Sequence, residues 1–115
     1  ARKDMTMWYD ATILSRRQLS PTVIGLTLKI DPQPNSSDEF TFLPGQWVDF
    51  RPRPSSTWRP PNGSGKTIGG YSITSIPRSL PRIDLAIQRS RHPVAEWVTS
   101  QARPNDLVHV RVGGS

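Results

Sequence analysis

The sequence predicts an all-β fold, an antiparallel barrel with one short helix. Apolar and polar residues alternate cleanly over 22–30, as expected of a half-buried strand. The 12 prolines and 8 glycines among 115 residues indicate many turns and few long helices. Strands do not alternate with helices, which excludes a parallel doubly wound sheet. Closure into a barrel is favoured because it removes exposed strand edges.

The strands are predicted in order from alternation and turn signals. The first covers 11–15 and the second 22–30, followed by a polar loop over 31–38. Pro44 and Gly45 predict a type II turn, because proline presets φ at the second position and glycine accepts a positive φ at the third. The remaining strands are predicted over 46–50, 71–76, 83–88 and 107–112.

The one helix is predicted from His92 to Ala102. Pro93 suits the first helical position, where its missing N–H costs nothing. Val94, Trp97 and Val98 fall at positions i, i+3 and i+4 and so form one apolar stripe along the helix. Residues 51–66 are rich in proline and serine and predict a long surface loop.

Composition restricts the functional classes. The net charge of +6 suits an anionic partner, such as a phosphate-bearing cofactor, nucleic acid or an acidic protein surface, although solubility alone also accounts for it. The absence of cysteine excludes disulfide and thiol chemistry. Two well-separated histidines, His92 and His109, do not predict a zinc site. No apolar run reaches the roughly 18–20 residues that span a bilayer.

The segment 61–72, PNGSGKTIGGYS, suggests two different sites. Gly65-Lys66-Thr67 matches the end of a nucleotide-phosphate loop. However, Pro60 occupies the position of the first glycine, and a strand is predicted where a helix should follow. The first half is therefore interpreted as a surface loop.

The second half of this segment suggests a ligand-binding strand. Tyr71 offers a flat face for stacking a planar ring, and Ser72 adds a hydroxyl. Gly69 and Gly70 permit close approach of a bulky ligand to the backbone. On the residues alone, an ordinary barrel strand with an inward tyrosine is the commoner explanation.

Five motifs in order resemble the FAD-binding barrel of the ferredoxin–NADP reductase superfamily. The similarity covers about 11–115 and implies a six-stranded antiparallel Greek-key barrel that binds FAD and precedes a nicotinamide-binding domain. Resemblance to one member further implies a mitochondrial location. The motifs are FLPGQWV (42–48), GYSITS (70–75), IDLAIQ (83–88), the helix start at 92–98, and NDLVHV (105–110).

The resemblance also implies roles for individual residues. Tyr71 would stack on the isoalloxazine ring, and Ser72 would bond near its N5 edge. The strand 86–88 would line the ribityl and phosphate path, and the helix start would lie beneath the pyrophosphate. The implied cofactor-binding residues are Gly69, Gly70, Tyr71, Ser72, Ile73, Thr74, Ala86, Ile87, Gln88, His92, Pro93, Val94 and Ala95.

Two positions depart from the superfamily pattern. Gly69 stands where an arginine usually pairs with flavin phosphate, and the helix start lacks the usual glycine and hydroxyl. A lost charge-assisted contact costs about 1.5–3 kcal/mol. Flavin then binds weakly, is lost, or is held by other cations. The cations considered as substitutes are Arg51, Arg53, Arg59 and Lys66, for which a solvated loop is the alternative.

The leading hypothesis is that 1–115 is the FAD-binding module of an NAD(P)H-dependent flavin oxidoreductase, not active alone. The alternative is a flavin-free barrel that serves as a protein-binding scaffold. Nucleic acid is not an expected partner, although Trp58 beside Arg59 raises the question. The redox partner is not indicated by the sequence.

Overall fold

The computed structural model describes residues 7–33, 39–55, 57–59 and 67–113. Its strands form a closed barrel in the order β1-β2-β5-β4-β3-β6, with every pair antiparallel. This order is a Greek key, because β6 returns beside β3 rather than beside β5. The predicted fold class is confirmed. The elements are β1 (Tyr9–Ser20), β2 (Val23–Ile30), β3 (Trp47–Pro52), β4 (Gly69–Ile73), β5 (Arg82–Gln88), α1 (Pro93–Ser100) and β6 (Leu107–Val112), with a single 3₁₀ turn at Pro77–Ser79.

The interior of the barrel is filled by the apolar residues that alternate along the strands. Leu26 and Leu28 of β2 and Val108 and Val110 of β6 are fully buried, as the alternation predicts. Phe50 of β3 is the largest fully buried side chain. Burying one such side chain stabilises the fold by about 1.5–3 kcal/mol. The alternating residues therefore determine which strand face points inward.

Turn chemistry fixes two chain reversals. Gly45 has a φ of +85°, and the Gln46 N–H donates to the Leu43 carbonyl at 3.1 Å, which confirms the predicted turn. Asn105 has a φ of +75° in the turn before β6. Asparagine tolerates this left-handed conformation better than most residues.

Three strands differ from the prediction by two or more residues at an end. β1 extends to Ser20, because its polar second half pairs with β2 through two irregularities rather than alternating. β3 includes Pro52, which pairs with Val108. β4 begins at Gly69 and ends at Ile73, because pairing with β3 outweighs the low strand propensity of glycine.

The described part of the proline-rich segment packs against the helix. Trp58 is only 5% exposed and meets Trp97 edge-to-face, with 6.1 Å between ring centroids. Trp97 Nε1 donates to Thr57 Oγ1 at 3.2 Å. The prediction of a surface loop is therefore wrong at Trp58, whose ring is part of the core and is not exposed for stacking on a base.

Candidate functional site

The candidate site lies on the outer face of the barrel where β4 runs between β3 and β5. Ser72 pairs with Trp47 of β3 on one side and with Ala86 of β5 on the other. The exposed Gly70 lies one pleat away on the same face of β4. Small side chains in the middle of this face leave room above the backbone. This arrangement follows from the two-residue alternation of each strand.

A cavity of about 390 Å³ opens over these strands, which we call the β4–β5 cavity. Its volume lies within the range of small-molecule sites. It brings together residues from two separate segments of the chain, including seven predicted site residues. Its lining consists of Ile68, Gly69, Gly70, Tyr71, Ser72, Ala86, Gln88, Ser90 and His92.

Tyr71 is half-buried at the edge of the cavity, and its ring lies over Gly69. A Cβ atom placed on Gly69 would lie only 2.6 Å from Tyr71 Cζ, a severe overlap. The ring also meets Phe50 edge-to-face, with 6.0 Å between centroids. Burial raises the pKa of Tyr71 to about 12, so its phenol stays neutral near neutral pH. Glycine at position 69 is thus what accommodates the tyrosine ring.

The hydroxyl and backbone groups of β4 differ in their availability to a ligand. Ser72 is exposed, and its hydroxyl forms no hydrogen bond with another described residue. The Ile73 N–H donates to the Gln46 carbonyl at 3.1 Å, and the Thr74 N–H donates to the Asp84 carbonyl at 2.8 Å. The N–H groups of these two implied cofactor-binding residues are therefore already used within the barrel, whereas the Ser72 hydroxyl is available.

The side chain of the residue just before the helix caps the start of α1. His92 is the N-cap, and the Val94 N–H donates to His92 Nδ1 at 3.1 Å. Pro93 has no N–H to offer. Val94 and Ala95 are buried, as is Ile87 of β5, so their side chains contribute to the core and not to the cavity. The structure therefore places His92 in the lining of the cavity and these three side chains in the core.

Trp47, Ile68 and Ser90 adjoin the site but were not predicted as site residues. Trp47 is 40% exposed and pairs with Ser72. A Cβ atom placed on Gly113 would lie 2.5 Å from Trp47 Cδ2, so the indole covers that glycine. Alternation from the inward Val48 could have indicated that Trp47 points outward. Ser90 has no comparable sequence signal.

The chain is similar in sequence to several curated proteins. No protein-family model matches the chain. Oxidoreductase NAD-binding domain-containing protein 1 of Danio rerio is 37% identical over 99 residues, which cover 84% of this chain and 31% of that protein. The Homo sapiens protein of the same name is 38% identical over 98 residues, which cover 83% of this chain and 27% of that protein.

This chain is a relative of oxidoreductase NAD-binding domain-containing protein 1. It spans about a third or less of the length of these relatives. The relationship indicated by the motifs is thus confirmed at the level of sequence.

Solved structures show the same barrel fold. The ferredoxin reductase in carbazole 1,9a-dioxygenase matches with a TM-score of 0.67 at 16% identity, covering 93% of this chain and 28% of that one. Amycolatopsis cytochrome P450 reductase matches with a TM-score of 0.67 at 19% identity, covering 95% and 28%. A flavohemoglobin from Malassezia yamatoensis with bound FAD and heme matches with a TM-score of 0.63 at 13% identity, covering 94% and 25%. These likenesses show that this relative of oxidoreductase NAD-binding domain-containing protein 1 shares its barrel fold with these proteins.

The cations considered as phosphate ligands lie away from the cavity or outside the described residues. Arg51 stacks on Trp8, with its guanidinium carbon 4.0 Å from the ring centroid, and its Nε donates to His109 Nδ1 at 3.2 Å. Arg53 is close enough to lower the pKa of His109. Neither lines the β4–β5 cavity, and neither does Arg59. Lys66, like the rest of 61–66, lies outside the described residues, and no helix begins at the described Thr67.

The remaining predictions concern metals and membranes. Within the described ranges, no group of three or more His, Cys, Asp or Glu side chains has the arrangement of a metal site. None of the helices in that part of the chain combines the length and hydrophobicity that crossing a bilayer requires.

Proposed function

We propose that this chain is the FAD-binding module of an NAD(P)H-dependent flavin oxidoreductase. The observation that supports this most is the β4–β5 cavity, which gathers Tyr71, Ser72, Gln88 and His92 from two segments 14 or more residues apart. The name of the curated relatives and the reductase-type fold point in the same direction.

The cavity suits the ring portion of a flavin. Gly70 and Ala86 leave the strand surface low enough for a planar ring to approach, and Tyr71 also lines this space. The Ser72 hydroxyl can donate to or accept from a ring heteroatom. Bound FAD would supply the hydride chemistry, while these residues hold the ring and limit access of water to it.

The larger arrangement is part of the same proposal. Residues 1–115 form the barrel domain, and a following domain holds the nicotinamide. The length of the relatives supports this, because the chain covers only 31% and 27% of two of them. A mitochondrial location is proposed from the resemblance, and imaging of the tagged full-length protein tests it.

Flavin titration tests the proposal directly. The purified chain is desalted, its visible absorbance is recorded, and FAD is added while flavin fluorescence is followed. We expect either retained yellow colour or saturable binding. A colourless chain that leaves the fluorescence of FAD unchanged up to about 100 μM, well above a typical cofactor affinity, contradicts the proposal.

A pair of variants localises the binding. Ser72→Leu places a bulky side chain in the cavity and should weaken FAD binding about tenfold or more. Ser15→Leu makes the same change at an exposed strand position of β1, outside the cavity. Equal effects of the two substitutions would place the flavin elsewhere.

A flavin-free binding module is the second candidate. It is favoured by the internal use of the Ile73, Thr74 and Val94 N–H groups, which leaves few donors for a cofactor. This candidate predicts no flavin uptake by the full-length protein, together with retention of a partner protein by the chain. Uptake of flavin at the Ser72-dependent site excludes it.

A further inference from the structure

The β4–β5 cavity adjoins a second hollow that contains two arginines. This hollow, of about 480 Å³, is lined by Arg89, Ser90, Arg91, Glu96, Thr99 and Ser100, and we call it the Arg89–Arg91 hollow. Ser90 lines both spaces, so they lie next to each other at this residue. A ligand that fills the first cavity and extends past Ser90 would reach the second.

The two spaces differ in charge. No lysine or arginine is among the described residues that line the β4–β5 cavity, whereas the hollow has two arginines and one glutamate. Arg89 and Arg91 are exposed, and neither guanidinium forms an ion pair or hydrogen bond with another described residue. Both are thus available to an anion, and arginine suits phosphate because its donors match two oxygens at once.

The position of the usual phosphate arginine is closed in this chain. The Tyr71 ring occupies the space where a side chain on residue 69 would begin. The start of α1 is also occupied, because His92 Nδ1 accepts from the Val94 N–H. An anion attached to a ring in the β4–β5 cavity must find its cation elsewhere, and Arg89 and Arg91 flank Ser90, which lines this cavity.

We propose that Arg89 and Arg91 bind the phosphates of a dinucleotide whose ring lies in the β4–β5 cavity. This rests on the proposed function and adds the residues that distinguish FAD from flavins without a pyrophosphate. Glu96 opposes this binding through its negative charge and leaves the hollow with a net positive charge. The contribution of the phosphates to FAD affinity then comes from the loop between β5 and α1 rather than from β4.

Affinities for FAD and riboflavin, measured by fluorescence titration at fixed salt, test the proposal. Arg89→Gln and Arg91→Gln should each weaken FAD binding about tenfold, the effect of losing one charge-assisted contact, and should leave riboflavin binding unchanged. Glu96→Gln should tighten FAD binding several-fold, again without affecting riboflavin. Arg103→Gln, at an exposed arginine outside both spaces, is the control and should change neither affinity.

The outcomes separate this proposal from the function on which it rests. If the unaltered chain binds neither flavin, the proposed function fails. If it binds both flavins and the Arg89 and Arg91 variants behave like the Arg103 control, the assignment of the phosphates to the hollow is overturned. Equal loss of riboflavin and FAD affinity also overturns it, because the arginines would then act on the ring or on the fold.

Discussion

At the residue scale, a side chain on residue 69 would occupy the same space as the ring of Tyr71. Gly69 is buried, and the tyrosine ring lies directly over it and against Phe50. In the sequence, this glycine stands where the superfamily pattern has an arginine. The structure shows it as the condition for a packed tyrosine, so restoring an arginine there would require the ring to leave its position.

Gly69→Ala should lower the free energy of unfolding by about 1–3 kcal/mol, the usual cost of overpacking. Gly70→Ala is the matched control, because its Cβ would meet Trp47 at an ordinary contact distance of 3.4 Å. Urea unfolding measures both. In a Tyr71→Ala background the cost of Gly69→Ala should disappear, and an unchanged cost would show that the ring is not the obstacle.

His109 predicts a pH dependence of stability. Burial, then the Arg51 guanidinium, lowers its pKa, and Arg53 acts in the same direction, while Asp10 opposes them from 2.9 Å. The folded state therefore binds a proton less readily than the unfolded state, whose histidine titrates near 6.5. The stability from neutral His109 is present above that pH and is lost as the pH falls below it.

The measurement compares the chain with His109→Gln between about pH 7.5 and pH 5.5, on the two sides of the usual histidine pKa. The free energy of unfolding should fall more steeply with decreasing pH in the unaltered chain. A difference between the two that is constant over this range, or that grows at low pH, contradicts the expected sign.

At the element scale, Trp58, in the connection between β3 and β4, is part of the core. Trp58 meets Trp97 of α1, and Arg16 of β1 donates to the Val98 carbonyl at 2.8 Å. The helix is thus held against the barrel from two sides. Composition alone indicated a surface loop, because a single tryptophan among prolines and serines has no periodic partner in the sequence.

Trp58→Ala should destabilise the chain by about 3–5 kcal/mol, since a large buried side chain is removed. Arg59→Ala, at the adjacent exposed position, should change stability by less than about 0.5 kcal/mol. Urea denaturation followed by circular dichroism measures both. A Trp58 variant as stable as the Arg59 control would mean that this segment does not belong to the core.

At the scale of the whole molecule, flavin binding should be linked to stability. FAD at about 100 times its dissociation constant should stabilise the chain by about 2.7 kcal/mol and raise the melting temperature by several degrees. Differential scanning calorimetry at increasing FAD concentration tests this, with AMP as a control that lacks the ring. A melting temperature independent of FAD, or raised equally by AMP, argues against ring binding in the β4–β5 cavity.

The sequence by itself determined the barrel class, five of the six strand cores to within a few residues, the helix and the Pro44–Gly45 turn. These depend on alternation, proline geometry and glycine, which act locally. It also predicted the candidate site on β4 and β5, because the motifs that resemble reductase barrels lie there.

Only the tertiary structure decided the rest. The lengths of β1 and β4, the burial of Trp58 and the position of the Tyr71 ring over Gly69 and against Phe50 depend on tertiary contacts. Such contacts stabilise the fold by several kcal/mol, which is more than the unfavourable local propensity of the residues costs. For that reason the sequence predicted which strand would contact a ligand. Only the folded structure showed which charged side chains lie near that strand.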